Sequence, residues 1–153
     1  MMAIPSLKLT KGDQMEKVRP FSHALDRLRD AGLRPTRQRL ALAKLLFESL
    51  DRHVTAEQLH NEAIAGNIRV SLATVYNTLH QFTEAGLLRE IVVDAGRSYF
   101  DTNISRHHHF YDEANGILID VPEEQLKVSG IPTPPEGTSV ESVDVVVRIR
   151  AAS

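Results

Sequence analysis

Residues 71–86 read SLATVYNTLHQFTEAG, and this stretch decides the fold. Ser71 suits the position just before a helix, because its hydroxyl can accept a free backbone amide, and Gly86 suits the position just after one. Leu72–Ala85 is therefore expected as a helix. On a helical wheel Leu72, Val75, Leu79 and Phe82 share a narrow arc and must face a core. The opposite face carries Ala73, Thr74, Asn77 and Gln81, with Tyr76 and His80 on its flank. Almost no charge is present there, whereas a merely solvated face more often carries Glu and Lys. Small residues near the N-terminus let a backbone approach a duplex closely. Asn and Gln can bond adenine edges, and Ala and Thr methyls suit the thymine methyl. A recognition helix enters the major groove by that end. The alternative is an ordinary surface of a helical domain.

Three more helices are expected upstream. Val18–Ala31 ends at Gly32, suited to the left-handed position after a helix. The next follows Pro35-Thr36 and places Leu40, Ala43, Leu46, Phe47 and Leu50 on one stripe. Thr55-Ala56-Glu57-Gln58 is a capping-box pattern and opens a third helix to about Ala65, closed by Gly66. Downstream the period changes. Leu88–Val93 is β-branched, Asp94-Ala95-Gly96 reads as a turn, and Arg97–Asp101 returns as a second strand. Three helices, a reading helix and a hairpin make a winged helix-turn-helix. A second lobe begins near residue 107. Gly116–Val121 and Val140–Arg150 are expected strands, Pro122–Val128 a short helix, and Ile131–Gly137, with its three prolines, a loop. Val143, Val145, Val147 and Ile149 are expected to form the buried face of the last strand.

The fold class is thus α+β: an extension over 1–17, a winged-helix DNA-binding domain over 18–103, and a small αβ dimerisation domain over 104–153. Charge supports the division. Residues 1–52 carry +5, residues 53–100 carry −2 and residues 101–153 carry −5. A basic front suits a polyanion, although a solvated surface without a partner has the same signature. Arg34, Arg37 and Arg39 lie at the start of the second helix, where phosphates are expected, and Arg69 precedes the reading helix. The absence of any long apolar run argues against a membrane span, and the opening residues lack a signal-peptide core, so a cytoplasmic location is expected. Zero cysteines exclude disulfides and thiolate metal sites.

The second conspicuous feature is Arg106-His107-His108-His109-Phe110-Tyr111. On an extended segment His107 and His109 point one way and His108 the other, so the triplet can serve two sites. Neutral imidazole suits Zn, Fe, Mn or Ni and is also an axial ligand to haem iron. Partners for a metal must come from elsewhere, and His53, Asp101 and Asp120 are the candidates. A solvated polar patch is the plain alternative. A hydrolytic zinc is a further alternative, but no HExxH, glycine-rich phosphate loop or G-x-S-x-G elbow is present, so no enzyme is expected.

Leu33–Arg39 (LRPTRQR), His53–Leu59 (HVTAEQL) and Leu72–Leu79 (LATVYNTL), followed by Gly86-Leu87-Leu88 and the histidine triplet, resemble the ferric uptake regulator family over residues 20–121. The resemblance implies a homodimeric transcription regulator, a repressor by type, that reads double-stranded operator DNA with the Leu72–Ala85 helix. Tyr76 matches the family's DNA-contacting tyrosine, while Asn77 stands where arginine is usual. His53, Asp101, His109 and Asp120 match ligands of the regulatory metal site, with Tyr111 at the remaining histidine position and Phe110 at the neighbouring aspartate. The missing Cys-x-x-Cys pairs and the intact triplet resemble the iron response regulator branch of alphaproteobacteria, associated with iron and haem genes and with haem sensing. The implied site residues are Arg37, Arg39, Ala73, Thr74, Tyr76, Asn77 and Gln81 for DNA. They are His107, His108 and His109 for haem, and His53, Asp101, His109 and Asp120 for Fe, Mn or Zn. Haem near the triplet is expected to weaken operator binding. A direct metal or peroxide sensor is the alternative within the family, and tetramers are an alternative to dimers.

Overall fold

The computed structural model describes residues 22–152, so the expected extension over 1–17 and the start of the first helix lie outside the described residues. Helix α1 is Ser22–Asp30. It stops where Gly32 turns left-handed at φ 77°, with the Leu33 amide donating to the Leu28 carbonyl at 2.9 Å. Helix α2, Arg37–Phe47, is capped by Thr36, whose hydroxyl accepts from the Arg39 amide. It buries Leu42, Ala43, Leu46 and Phe47. The expected stripe is corrected at both ends: Leu40 is only partly covered, and Leu50 is 89% exposed because the helix has ended three residues before it. Helix α3, Ala56–Ala65, opens with both hydrogen bonds of the expected capping box and closes at Gly66, with Asn67 taking the left-handed turn.

Helix α4 is Leu72–Glu84, its first turn capped by the Ser71 hydroxyl on the Thr74 amide. Val75, Leu79 and Phe82 are buried in one cluster with Leu28, Leu42, Leu46 and Leu59, Thr78 is buried beside them in sequence, and Leu72 packs at the margin. Burial at about 1.5–3 kcal/mol per large apolar side chain makes this face the anchor that holds the opposite face outward. Gly86, at φ 82°, then turns the chain into the hairpin of β2 (Arg89–Asp94) and β3 (Arg97–Asp101). A further strand, β1 (His53–Val54), pairs with the outer side of β3 to give the order β1-β3-β2. Two residues are too few for alternation to show, so this strand is invisible in the sequence.

The second sheet has the order β5-β4-β6, with β4 (His107–Asp112) antiparallel to β5 (Ile117–Pro122) and parallel to β6 (Val146–Ile149). The expected short helix shrinks to one 3-10 turn, Glu123–Gln125. The expected strand over Val140–Arg150 is confined to β6, because β4 offers partners only from His109 opposite Val146 to Asp112 opposite Ile149. Its facing is also corrected: Val146, not the Val145 and Val147 set, packs on the inner cluster, since register places it beside His109. That cluster joins Ile91, Val93 and Tyr99 of the hairpin to Tyr111 and Leu118 of the second sheet. Tyr99 donates to the Gly116 carbonyl at 2.9 Å and Arg97 to the Tyr111 hydroxyl at 3.0 Å, so polar contacts reinforce the same junction. Among the described residues no helix is long and apolar enough to cross a membrane.

Candidate cation centre and nucleic-acid interface

Two cross-strand pairs, one from each sheet, face each other at the junction. His53 on β1 lies opposite Asp101 on β3, and His109 on β4 lies opposite Asp120 on β5. Directly opposed residues share a face with their Cβ atoms close, so each sheet delivers one imidazole and one carboxylate to the same place. His107, two residues before His109, joins them by the alternation of β4. One donor atom from each of His53, Asp101, His107, His109 and Asp120 lies within 4.8 Å of all the others.

The distances show how tightly the groups converge. Asp101 Oδ2 lies 2.8 Å from His107 Nε2, 3.3 Å from His109 Nε2 and 3.4 Å from His53 Nε2. Asp120 Oδ1 lies 2.7 Å from His53 Nε2, 3.3 Å from His107 Nε2 and 3.4 Å from His109 Nε2. Asp101, His107 and His109 are buried, while Asp120 stands at the rim. Burial opposes the ionised form of Asp101, but hydrogen bonds from His109, His53 and the Asn103 amide outweigh it, and the carboxyl is held well below its ordinary range. Burial likewise opposes charge on His53, yet Asp101 and Asp120 together raise its pKa.

The donor set fits a transition-metal dication. It offers three imidazole nitrogens and two carboxylate oxygens, the borderline and hard donors that suit Fe, Mn or Zn. His107 Nδ1 lies 2.7 Å from the Ser105 carbonyl, which can only accept, so this nitrogen carries a proton and Nε2 is the atom turned toward the cluster. Such an outward hydrogen bond is the usual device that orients a ligating histidine. Nitrogen lone pairs and carboxylate oxygens at these distances need a shared cation, or protons in its stead.

His107, read from the sequence as a haem residue with its neighbours, lies beside His109 in the five-donor cluster. The signal was the alternation along β4. His108 points to the other side, where its Nδ1 accepts from the Val145 amide at 3.2 Å. The three histidines do not converge on one point. Tyr111 stays out of the cluster because its ring is buried in the junction core and its hydroxyl accepts from Arg97, and Phe110 lies on the outer face.

On α4, Ala73, Asn77 and Gln81 are exposed and Thr74 is partly so, as the wheel requires. Four of the DNA candidates, Arg39, Thr74, Tyr76 and Gln81, have side-chain partners within the protein. The Tyr76 hydroxyl donates to Glu57 at 2.6 Å, which raises its pKa, and Arg39 donates to Gln81. Arg37 is exposed at the first turn of α2.

A winged helix-turn-helix whose hairpin shares a His/Asp cation-type cluster with a second sheet defines a class: winged-helix proteins with a ligand site at the junction of their lobes. The chain belongs to the ferric uptake regulator family, whose profile matches residues 30–147. It is 38% identical over 108 residues to the ferric uptake regulation protein of Bordetella parapertussis, covering 67% of this chain and 78% of that one. It is 34% identical over 99 residues to the peroxide-responsive repressor PerR of Staphylococcus aureus, covering 65% of this chain and 66% of that one. The ferric uptake regulator from Pseudomonas aeruginosa, solved with manganese, superposes with a TM-score of 0.64 at 26% identity, covering 85% of this chain and 98% of that one. The architecture is that of the family: an N-terminal winged-helix DNA-binding domain and a C-terminal dimerisation domain.

Proposed function

We propose that this chain is a homodimeric, metal-responsive transcription repressor that binds double-stranded operator DNA. Residues 18–103 act as the reading domain and 104–153 as the dimerisation and regulatory domain. The observation that carries the proposal is the five-donor cluster shared by the two sheets, since any cation held there must tie the hairpin behind the reading helix to the second sheet. His53, Asp101, His107, His109 and Asp120 would hold Fe, Mn or Zn, which would supply positive charge to two carboxylates that otherwise face each other's partners. Arg37 meets phosphate, and Ala73, Thr74, Tyr76, Asn77 and Gln81 face the groove. The outer face of the second sheet exposes Phe110, Ile117 and Ile119, an apolar surface suited to a second copy of the same sheet. A dimer would set two reading helices about 34–36 Å apart, or a multiple of that.

The coupling is thermodynamic: the cation changes DNA affinity only by its differential affinity for the two lobe arrangements. A second reading, haem as the signal, is favoured by a cavity of about 680 Å³ beside His108, lined by Arg106, Lys127, Leu126 and Val128. His107 and His108 both line this cavity, but His107 Nε2 faces Asp101, so in that reading Nε2 of His108 would be the ligand the triplet offers. A gel shift on genomic fragments with the protein metal-free, with Mn²⁺, Zn²⁺ or Fe²⁺, and with haem separates these readings. Metal-dependent retardation supports the first, release by haem alone supports the second, and failure to shift any fragment with hydrolysis of a test substrate would revive the enzyme alternative.

A further inference from the structure

Arg39 and Gln81 join the second helix to the reading helix through one atom. Arg39 Nε and Nη2 lie 3.2 and 3.0 Å from Gln81 Oε1, and Arg39 Nη1 donates to the Arg34 carbonyl at 2.9 Å. A guanidinium has donors only, so it must meet the oxygen end of the amide, and the orientation of Gln81 is dictated by chemistry. The amide's NH₂ is what remains to face outward. Gln81 lies on the exposed ridge Ala73, Asn77, Gln81, which spans about 12 Å at 1.5 Å per residue, close to the major-groove width of about 12 Å.

We propose that Arg39 is a positioning residue that presents Gln81 to DNA as a hydrogen-bond donor, so that this position selects thymine O4 or guanine O6, where adenine presents its N6 amino donor instead. The inference rests on the DNA-reading function proposed above. Glutamine recognises adenine by offering its oxygen to N6–H and its NH₂ to N7 together. With Oε1 held by two guanidinium donors, that bidentate pairing is closed to Gln81. Asn77, one turn earlier, has no such clamp among the described residues and keeps both halves of its amide. The two amides on one ridge therefore read different edges.

Selection of binding sites from a random duplex library by the metal-loaded dimer tests this. The wild type should show one position per half-site favouring T or G over A by about three- to tenfold, the weight of one hydrogen bond. Gln81→Glu, which offers an acceptor in place of the NH₂, should move that preference to C or A. Arg39→Ala should admit adenine there while the other positions stay as they were, and Arg39→Lys, which retains a donor, should keep the wild-type preference. The exposed Gln81 variants keep the test open should Arg39→Ala melt early. An Arg39→Ala motif identical to wild type overturns the proposal. So does a Gln81→Ala protein that weakens equally on every sequence, the mark of a phosphate contact. If the wild type selects no sequence at all, the DNA-reading function itself falls, an outcome distinct from an unchanged motif.

Discussion

Asp101→Asn keeps the side chain's shape and removes its charge, and the structure sets the size of the effect. The bond from the Asn103 amide, 2.9 Å to Oδ1, survives on the asparagine carbonyl. The contact with His107 at 2.8 Å and the looser ones with His109 and His53 at 3.3 and 3.4 Å lose their charge. Because the folded carboxyl is held below its ordinary range, its ionised form is the one that stabilises the fold at neutral pH. One good charge-assisted hydrogen bond and two weak ones amount to about 2–3 kcal/mol. For a chain of this size that lowers the melting temperature by about 4–12 °C. Adding Mn²⁺ or Zn²⁺ to about 100 times its Kd should stabilise the wild type by about 2.7 kcal/mol, or about 5–11 °C. Removal of a ligand that weakens binding about 100-fold leaves about 0.4 kcal/mol at the same metal concentration, a rise near 1 °C. Calorimetric melts of both proteins, metal-free and loaded, read all four quantities. An Asp101→Asn protein with the full wild-type rise, or a wild type with none, would refute the reasoning.

The other predictions address separate parts of the molecule. His107→Ala should weaken Mn²⁺ or Zn²⁺ binding about 10–100-fold in a calorimetric titration, while His108→Ala leaves it within about twofold, because only His107 faces Asp101. Equal losses would mean that the two sides of β4 are not distinct in solution. Arg37→Ala should reduce the slope of log K against log salt by about one unit in fluorescence anisotropy with duplex DNA, and an unchanged slope would remove Arg37 from the phosphate contacts. Leu79→Ala should destabilise the fold by about 2–5 kcal/mol in urea unfolding, since a fully buried side chain leaves a cavity beneath α4. Phe110→Asp should shift the protein from dimer to monomer in sedimentation velocity, with secondary structure intact; a stable dimer would place the interface elsewhere.

Local rules carried much of the fold into view. Capping chemistry at Thr55 and Ser71 and glycines at residues 32, 66 and 86 mark where helices begin and end, because those signals depend on neighbours a few residues away. The apolar period of Val75, Leu79 and Phe82 told which face of α4 is buried, and β-branched residues around a glycine turn announced the hairpin. The alternation of His107 and His109 was equally legible, and followed strictly it already separates His108 from them. Patterns failed where a partner strand decides the outcome. The two residues of β1 carry no period of their own, and the valines from 140 onward alternate without stating which face is inner or how far pairing with β4 extends.

By itself the chain determined its α+β character, the helix Leu72–Glu84 with its buried face, and the residue types that could bind a cation, since short-range hydrogen bonding and the periods of helix and strand are written in consecutive residues. Only the tertiary structure decided that His53, Asp101, His107, His109 and Asp120 meet, and that Arg39 spends its donors on Gln81. Those contacts join residues tens of positions apart, and their distances are set by strand register and by the packing of one sheet against another, which no local pattern encodes.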